Sequence, residues 1–402
     1  VKVCIDATPL GNRTTDKGGV YRYIWKLIES LSSIDHDNRY TLLFNFFRNE
    51  HLPVFRETVR MLQVGDNFEV RLSKVPTLLQ RYIAIPTEVL SGKFDVFHGC
   101  FDFLRPILMG RGVVTIHDIR YLENMEYETD PDWIKILRQT PSLPAFYIRD
   151  CQGRDTLFHH LRSTIRKTVK RADQIITVSG FSKGRIIEKL GIRGEKVKVI
   201  YPGVNGQFFP QREEVVAKVK SKFRINKPYI LYVGKFEPQK NIIRLLEAFQ
   251  KASRREDVVL VMAGPFNWYY HIIREKVGEL DISDKVVFTD FVTDEEMSAL
   301  YSGASVFFFP SLYEGFGMPV LESMACGTPV VTSPVCSIPE VAGDAAVFAD
   351  PTSSDDMADA IVRCMNDTTL RSGLISRGRK RAEAFTWDKT AAMTLEVYKG
   401  LC

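Results

Sequence analysis

Short apolar runs recur along the chain between longer amphipathic or polar stretches. The first half carries "VKVCIDA", "FDVFHG", "GVVTIHD" and "DQIITVS". A second series follows with "YILYVGK", "DVVLVMAG", "KVVFTDFV", "ASVFFFP", "TPVVTS" and "AAVFAD". This alternation of strand and helix patterns predicts an α/β protein with parallel, doubly wound sheets. Between the two series, "KVKVIYPGVNGQFFP" brings two prolines and two glycines that interrupt both periodicities. The expected division is therefore a first domain over 1–205 and a second over 206–384. The last segment, "FTWDKTAAMTLEVYKGLC" over 385–402, has helical spacing, and its Trp387 and Tyr398 are expected to pack against a large surface.

In open parallel sheets ligands bind beyond the carboxyl ends of the strands, so the strand-to-helix turns are where chemistry is expected. One turn stands out, within "VFFFPSLYEGFGMPVLESMACGTPVVTS". "SVFFFP" reads as a buried strand and "PVLESMAC" as a short helix, with Pro319 at its first position and Gly327 just past its end. Gly315 and Gly317 let the backbone approach a ligand, and the helix start aims N–H groups and a positive dipole end at the same place. A phosphate fits there. Glu322, expected in the first turn, would itself be favoured by that dipole. A carboxylate beside an anion needs another partner, however, and a vicinal diol such as a ribose supplies two O–H donors. Glu314, at the strand end, would reach past the phosphate toward a sugar hydroxyl. The alternative of a dinucleotide fingerprint in "GFGMPV" matches poorly, because Val320 stands where the third glycine belongs.

Composition narrows the field without naming a ligand. With 402 residues, 45% apolar and 26% charged, the chain is long enough for two cores. Its formal charge of +5 suits an anionic ligand or membrane surface but lacks the bias of a nucleic-acid binder. The seven cysteines are scattered and never paired as C-x-x-C, which indicates neither a disulfide framework nor a zinc knuckle and points to a reducing cytosol. "VKVCIDATPL" reads as a strand rather than a signal peptide, and no apolar run approaches the roughly 18 residues of a membrane span. There is no H-E-x-x-H and no histidine cluster of ligand spacing, so no metal site is expected; His98 and the pair at 159 and 160 read as packing or surface.

The long motif "YEGFGMPVLESMACGTPVV" closely resembles the E-x7-E signature of the retaining GT-B nucleotide-sugar glycosyltransferases of family four. Further landmarks agree in order: "GGVYRY", "FDVFHG", "TIHD", "DQIITVS", "VIYPGV", "YVGKFEPQKN", "VMAG", "FTDFVTDEEMSALY" and the terminal "FTW". The resemblance covers nearly the whole chain, most strongly residues 229–345 and most weakly 36–93 and 119–160. It implies two Rossmann-like domains around a cleft, with the 385–402 helix crossing back to the first, and a metal-independent, cofactor-free transfer with retention. It further implies that Glu322 binds the donor ribose hydroxyls, Glu314 a hydroxyl of the transferred sugar, and the backbone of Gly315, Phe316, Gly317 and Met318 the sugar and diphosphate. Lys235 and Lys240 of "YVGKFEPQKN" would donate to the diphosphate. Many members have arginine at Lys235, which leaves Lys240 as the stronger of the two. Gly19, Gly264 and Phe291 complete the implied donor site. His117, at a first-domain strand end, would support catalysis without acting as general base, so Glu314, His117 and Lys240 form the implied catalytic set.

The sequence looks most like bacterial polysaccharide mannosyltransferases. The expected reaction therefore moves a hexose, first mannose from GDP-mannose, to a saccharide or lipid-linked saccharide acceptor in polysaccharide or O-antigen-type biosynthesis. A nucleotide-sugar epimerase of the same fold and a non-enzymatic nucleotide-sugar binder are the alternatives. The basic, amphipathic "HHLRSTIRKTVKRADQ", with Arg162, Arg166, Lys167, Lys170 and Arg171, reads by default as a solvated helix face. Together with "LSKVPTLLQRYIAIPTEVL" it could instead hold a cytoplasmic protein to the anionic inner face of the plasma membrane. No nucleic-acid partner is expected.

Overall fold

The structure is a computed structural model describing residues 1–11, 18–46, 51–74, 86–123 and 157–402. Among the described residues two compact units emerge, one drawn from 1–122, 159–203 and 385–402 and the other from 204–384. The division falls between Gly203 and Val204, inside the proline- and glycine-interrupted segment. The sequence reading placed 123–158 in the first domain. Of that stretch only Glu123, Leu157 and Phe158 are described, and they group with the second unit.

The first unit has seven parallel strands: β1 (Lys2–Asp6), β2 (Arg39–Asn45), β3 (Phe68–Ser73), β4 (Val96–Gly99), β5 (Arg111–Ile116), β6 (Gln174–Thr177) and β7 (Val197–Val199). Their order is β3-β2-β1-β4-β5-β6-β7. β1 and β2 are joined by the helix Gly19–Ile34, whose Tyr23, Ile24, Leu27, Ile28 and Leu31 form one buried stripe. β2 and β3 lie where the sequence reading named no strand. β3 is an edge strand, "FEVRLS", largely open to solvent.

The helix Trp387–Lys399 closes this unit, so the two aromatic residues singled out in the sequence do find a large partner. Trp387 meets the Tyr23 ring at 5.8 Å, and Thr390 donates to the Tyr201 carbonyl at 2.7 Å. The Tyr398 hydroxyl lies 2.6 Å from His98 Nδ1, and His98 Nε2 lies 2.8 Å from Thr115 Oγ1. Burial pushes the His98 imidazole down to about 3, so it is a neutral core residue. The last helix is thus fastened to β4 and β5 by hydrogen bonds as well as by apolar packing.

The second unit has six parallel strands: β8 (Tyr229–Val233), β9 (Val259–Ala263), β10 (Val286–Asp290), β11 (Val306–Phe309), β12 (Val330–Thr332) and β13 (Ala346–Phe348). Their order is β10-β9-β8-β11-β12-β13. Phe307, Phe308 and Phe309 are all fully buried, as a strand covered on both faces requires. Chain connections run from β8 outward to β9 and from β11 the opposite way to β12. The reversal lies between β8 and β11, and the loops that follow those two strands diverge around it.

Candidate active site

Both loops at this switch point carry residues singled out in the sequence. After β8 the chain makes a short 3₁₀ turn, Pro238–Lys240, and enters the helix Ile242–Ala252 through Asn241 in the left-handed region at φ 60°. Asparagine tolerates that conformation. The Asn241 amide donates to the Pro310 carbonyl at 3.1 Å and the Pro351 carbonyl at 2.8 Å, tying the β8 loop to the ends of β11 and β13. Across the switch point Leu312 N–H donates to the Gln239 carbonyl at 2.7 Å.

These ties bring Lys240 and Glu314 together. Lys240 Nζ lies 2.6 Å from Glu314 Oε1, with side-chain exposures of 17% and 11%. The ammonium also sits 5.4 Å from the centroid of the Phe309 ring, a weak cation–π contact that covers one side of it. Two residues 74 apart in sequence therefore form one charged unit at the ligand-binding position of the fold.

The glycine turn is held from the side. Ser337 Oγ lies 2.9 Å from the Glu314 carbonyl and 3.0 Å from that of Phe316, so its single proton can go to either or be shared between them. Gly317 caps the helix Met318–Ala325 at φ 100°, and a Cβ there would come within 2.6 Å of Ile338 Cδ1. Both its backbone conformation and its packing call for glycine. Phe316 is buried and Met318 half-buried.

Glu322 departs from the expected position. The helix starts at Met318, with Pro319 second, so Glu322 is its fifth residue and lies beyond the first turn. The dipole reading of this carboxylate loses force accordingly. Glu322 is 1% exposed, and Tyr301 OH donates to its Oε2 at 3.0 Å. Tyr301 lies in the last turn of the helix Asp294–Gly303, is fully buried, and accepts at its carbonyl from Thr328 Oγ1. Glu314 and Glu322 have different partners, Lys240 and Tyr301, and so are separately addressed.

The other donor-side residues differ in what surrounds them. Lys235 is half-buried just after β8, and its carbonyl accepts from Tyr232 OH at 3.0 Å. Gly264 follows β9, and a Cβ on it would lie 2.0 Å from the Gly234 carbonyl oxygen. Close passage of two backbones thus explains this glycine without a ligand. Phe291 is 63% exposed.

Two of the singled-out residues belong to the first unit. Gly19 opens its helix with nothing within 4 Å of a Cβ position. His117 follows β5. Its backbone N–H donates to Asp102 Oδ1 at 2.8 Å, and its Nε2 lies 3.1 Å from the Cys100 carbonyl. A carbonyl only accepts, so Nε2 carries the proton and Nδ1 keeps its lone pair. Burial holds the imidazole below its usual pKa, against the Cys100 bond and the Asp118 charge. His117 thus presents Nδ1 as a hydrogen-bond acceptor. Burial and the Asp118 charge push the Asp102 carboxyl up to about 8, against the bond from the His117 N–H.

The basic segment forms the helix Leu157–Arg171. Ile165 and Val169 are buried in the core, while Arg166, Lys167, Lys170 and Arg171 are exposed. Much of "LSKVPTLLQRYIAIPTEVL", residues 75–85, lies outside the described residues. Among the described residues no helix is long and apolar enough to cross a membrane, and no cluster of three or more His, Cys, Asp or Glu side chains could hold a metal ion. Sequence reasoning missed Tyr301, Asn241 and Ser337. Tyr301 and Ser337 act on partners more than 20 residues away and carry no local signal, whereas an asparagine before a helix at a strand end could have been marked as a left-handed cap.

Residues 215–381 match the family described as glycosyl transferases group 1, and residues 17–208 match glycosyltransferase family 4. O-antigen chain mannosyltransferase B of Escherichia coli is 30% identical over 307 residues, covering 76% of this chain and 74% of that protein. The MMP alpha-(1->4)-mannosyltransferase of Mycolicibacterium hassiacum is 30% identical over 244 residues, covering 58% of this chain and 56% of that protein. Among solved structures, a sucrose-phosphate synthase from Thermosynechococcus elongatus aligns with a TM-score of 0.70 over 100% of this chain and 98% of that one, at 19% identity, a likeness of fold.

Proposed function

The chain belongs to the family 4 glycosyltransferases of GT-B fold, and on that premise we propose that it transfers mannose from GDP-mannose, with retention and without a metal, to a saccharide or lipid-linked saccharide of an O-antigen-type polysaccharide. The observation that carries the reading is the Lys240–Glu314 pair at the switch point, beside the glycine turn and the start of the helix bearing Glu322. The mannose assignment draws on the mannosyltransferase names of the relatives.

Each group has a chemical task. Departure of the sugar leaves extra negative charge on the diphosphate, which Lys240, Lys235 and the backbone at Gly315–Met318 are suited to stabilise as it develops. Fixed cations and amides can do this work where other transferases use a divalent ion. Glu322 accepts from the ribose hydroxyls and Glu314 from a hydroxyl of the transferred sugar. Neutral His117 offers Nδ1 to a further hydroxyl. The exposed basic face of Arg166, Lys167, Lys170 and Arg171 supports association with an anionic cytoplasmic membrane surface, where a lipid-linked acceptor would lie.

The test is transfer from a panel of nucleotide sugars to a mannoside acceptor with an alkyl aglycone, with the anomeric configuration of the product read by NMR. Expected are turnover with GDP-mannose, an α-linked product, and full activity in EDTA. Turnover only with another donor would overturn the mannose assignment, and loss in EDTA with rescue by magnesium or manganese would overturn metal independence.

A further inference from the structure

We propose that the Lys240–Glu314 ion pair acts as an exchange device that lets the site hold sugar-bearing donor and release the spent nucleoside diphosphate. The inference rests on the donor-site reading above and deepens it.

The two side chains are largely withdrawn from water, at 17% and 11% exposure, so each is the other's main electrostatic compensation. Among the described residues no second cation forms an ion pair with Glu314. A diphosphate that engages the Lys240 ammonium meets a carboxylate 2.6 Å from that same nitrogen. An ammonium has three donors and can serve both, but the two anions repel one another at this range. The strain is relieved if Glu314 gives up the ammonium and finds another donor.

A donor carrying its sugar brings that donor group, because a sugar hydroxyl can hydrogen-bond to the displaced carboxylate. Free nucleoside diphosphate brings the charge without the hydroxyl. Glu314 is then a poorly compensated, largely buried carboxylate beside an anion, which is the costly state for such a group. Once the sugar has gone to the acceptor, re-formation of the Lys240–Glu314 bond competes with the diphosphate for the ammonium. The Phe309 ring lies 5.4 Å from the Lys240 ammonium on a side that Glu314 does not occupy, and the exchange asks only for movement of the lysine tip. Glu314 thereby sets the affinity of product against that of donor, a role distinct from binding the sugar. Simple orientation of a sugar hydroxyl would predict no effect of Glu314 on free diphosphate. The ion pair predicts that removing its charge tightens the diphosphate.

The experiment is titration calorimetry of the full chain with GDP, UDP and ADP and with GDP-mannose, UDP-glucose and ADP-glucose, for the parent, Glu314→Gln, Lys240→Gln and the double variant. The diphosphate that binds the parent should bind Glu314→Gln about tenfold tighter, the scale of one charge-assisted hydrogen bond. Its sugar form should change by less than about threefold, so the preference for donor over product contracts. In the Lys240→Gln background the Glu314→Gln effect should shrink, as a coupled pair requires. Glu314→Ala, read the same way, serves if the glutamine form does not fold. Unchanged or weakened diphosphate affinity in both Glu314 variants would overturn the exchange while leaving the donor site intact. Failure of every diphosphate and nucleotide sugar to bind the parent would overturn the donor-site reading itself.

Discussion

Tyr301→Phe removes one oxygen from the buried contact with Glu322 and leaves the ring in place. The ring packs against Phe307 at 5.4 Å and Phe208 at 5.8 Å, contacts that phenylalanine keeps. What is lost is a 3.0 Å hydrogen bond to an almost fully buried carboxylate. Hydrogen bonds to charged groups contribute about 1.5–3 kcal/mol, so the variant should unfold at lower denaturant by an amount in that range. Part of the cost should also appear in binding, because the carboxylate loses one of the bonds that order it. A weakening of nucleoside diphosphate binding by about 1 kcal/mol, roughly fivefold, is expected.

The discriminating measurement uses the ribose. Calorimetry with the preferred nucleoside diphosphate and its 2′-deoxy and 3′-deoxy forms gives the contribution of each hydroxyl in parent and variant. If Tyr301 positions Glu322 for the diol, the penalty for a missing hydroxyl should shrink in Tyr301→Phe and nearly vanish in Glu322→Ala. A variant that is destabilised but keeps the parental deoxyribose penalty would show that Tyr301 only supports the core.

Two further outcomes follow from the geometry. Gly264→Ala places a Cβ 2.0 Å from the Gly234 carbonyl oxygen, so the ends of β8 and β9 must part; overpacking of this kind costs about 1–3 kcal/mol, visible as a lower thermal midpoint with weakened diphosphate binding through the Lys235–Lys240 loop. His98 takes up a proton in the unfolded chain below about pH 6.5 but in the folded protein only near pH 3, so its contribution to stability falls as pH drops through that window, by about 1.4 kcal/mol per pH unit. Asp102, with its folded value raised to about 8, acts in the opposite sense between about pH 4 and 8, so the comparison to make is the difference in denaturation midpoint against pH between parent and His98→Gln, which should lose the acid-side slope. An unchanged slope would remove His98 as its source.

Legibility in the sequence followed the range of the interactions. Apolar runs are local, and those named in advance correspond to β1, β4, β5, β6 and all six strands of the second unit. β2 and β3 escaped because "RYTLLFN" lies next to a helix of similar apolar content, and "FEVRLS" is a half-polar edge strand whose alternation is short. Glu314, Lys240 and the glycine turn could be placed because strand-to-helix turns collect at one end of a parallel sheet. Their direct contact could not be read, since it depends on the strand order that sets β8 beside β11. A helix begun at Pro319 puts Glu322 one position too early, whereas Gly317 in the left-handed region lets Met318 begin it.

Strand order also explains why an ion pair at a switch point is not by itself a binding site. The first unit has one in the corresponding place: Asp6 ends β1, and Arg105 follows β4, with Arg105 Nε 2.8 Å from Asp6 Oδ2. Its side chains are 12% and 10% exposed, as withdrawn from water as Lys240 and Glu314. Burial therefore does not separate the two pairs. Their bonding does. Asp6 Oδ1 also accepts the Thr8 N–H at 3.1 Å, and the Arg105 guanidinium reaches Thr8 Oγ1 at 3.5 Å as well as Asp6. A planar fork held at several points gives up its partners only together, which makes this pair a staple between β1 and β4. Lys240 is a single point charge on a flexible stem, and the backbone ties beside it are made by Asn241 and Ser337 rather than by the lysine itself. The same topology thus carries an arginine–aspartate pair in one unit and a lysine–glutamate pair in the other, and on the exchange proposed above the choice of lysine over arginine is what separates them.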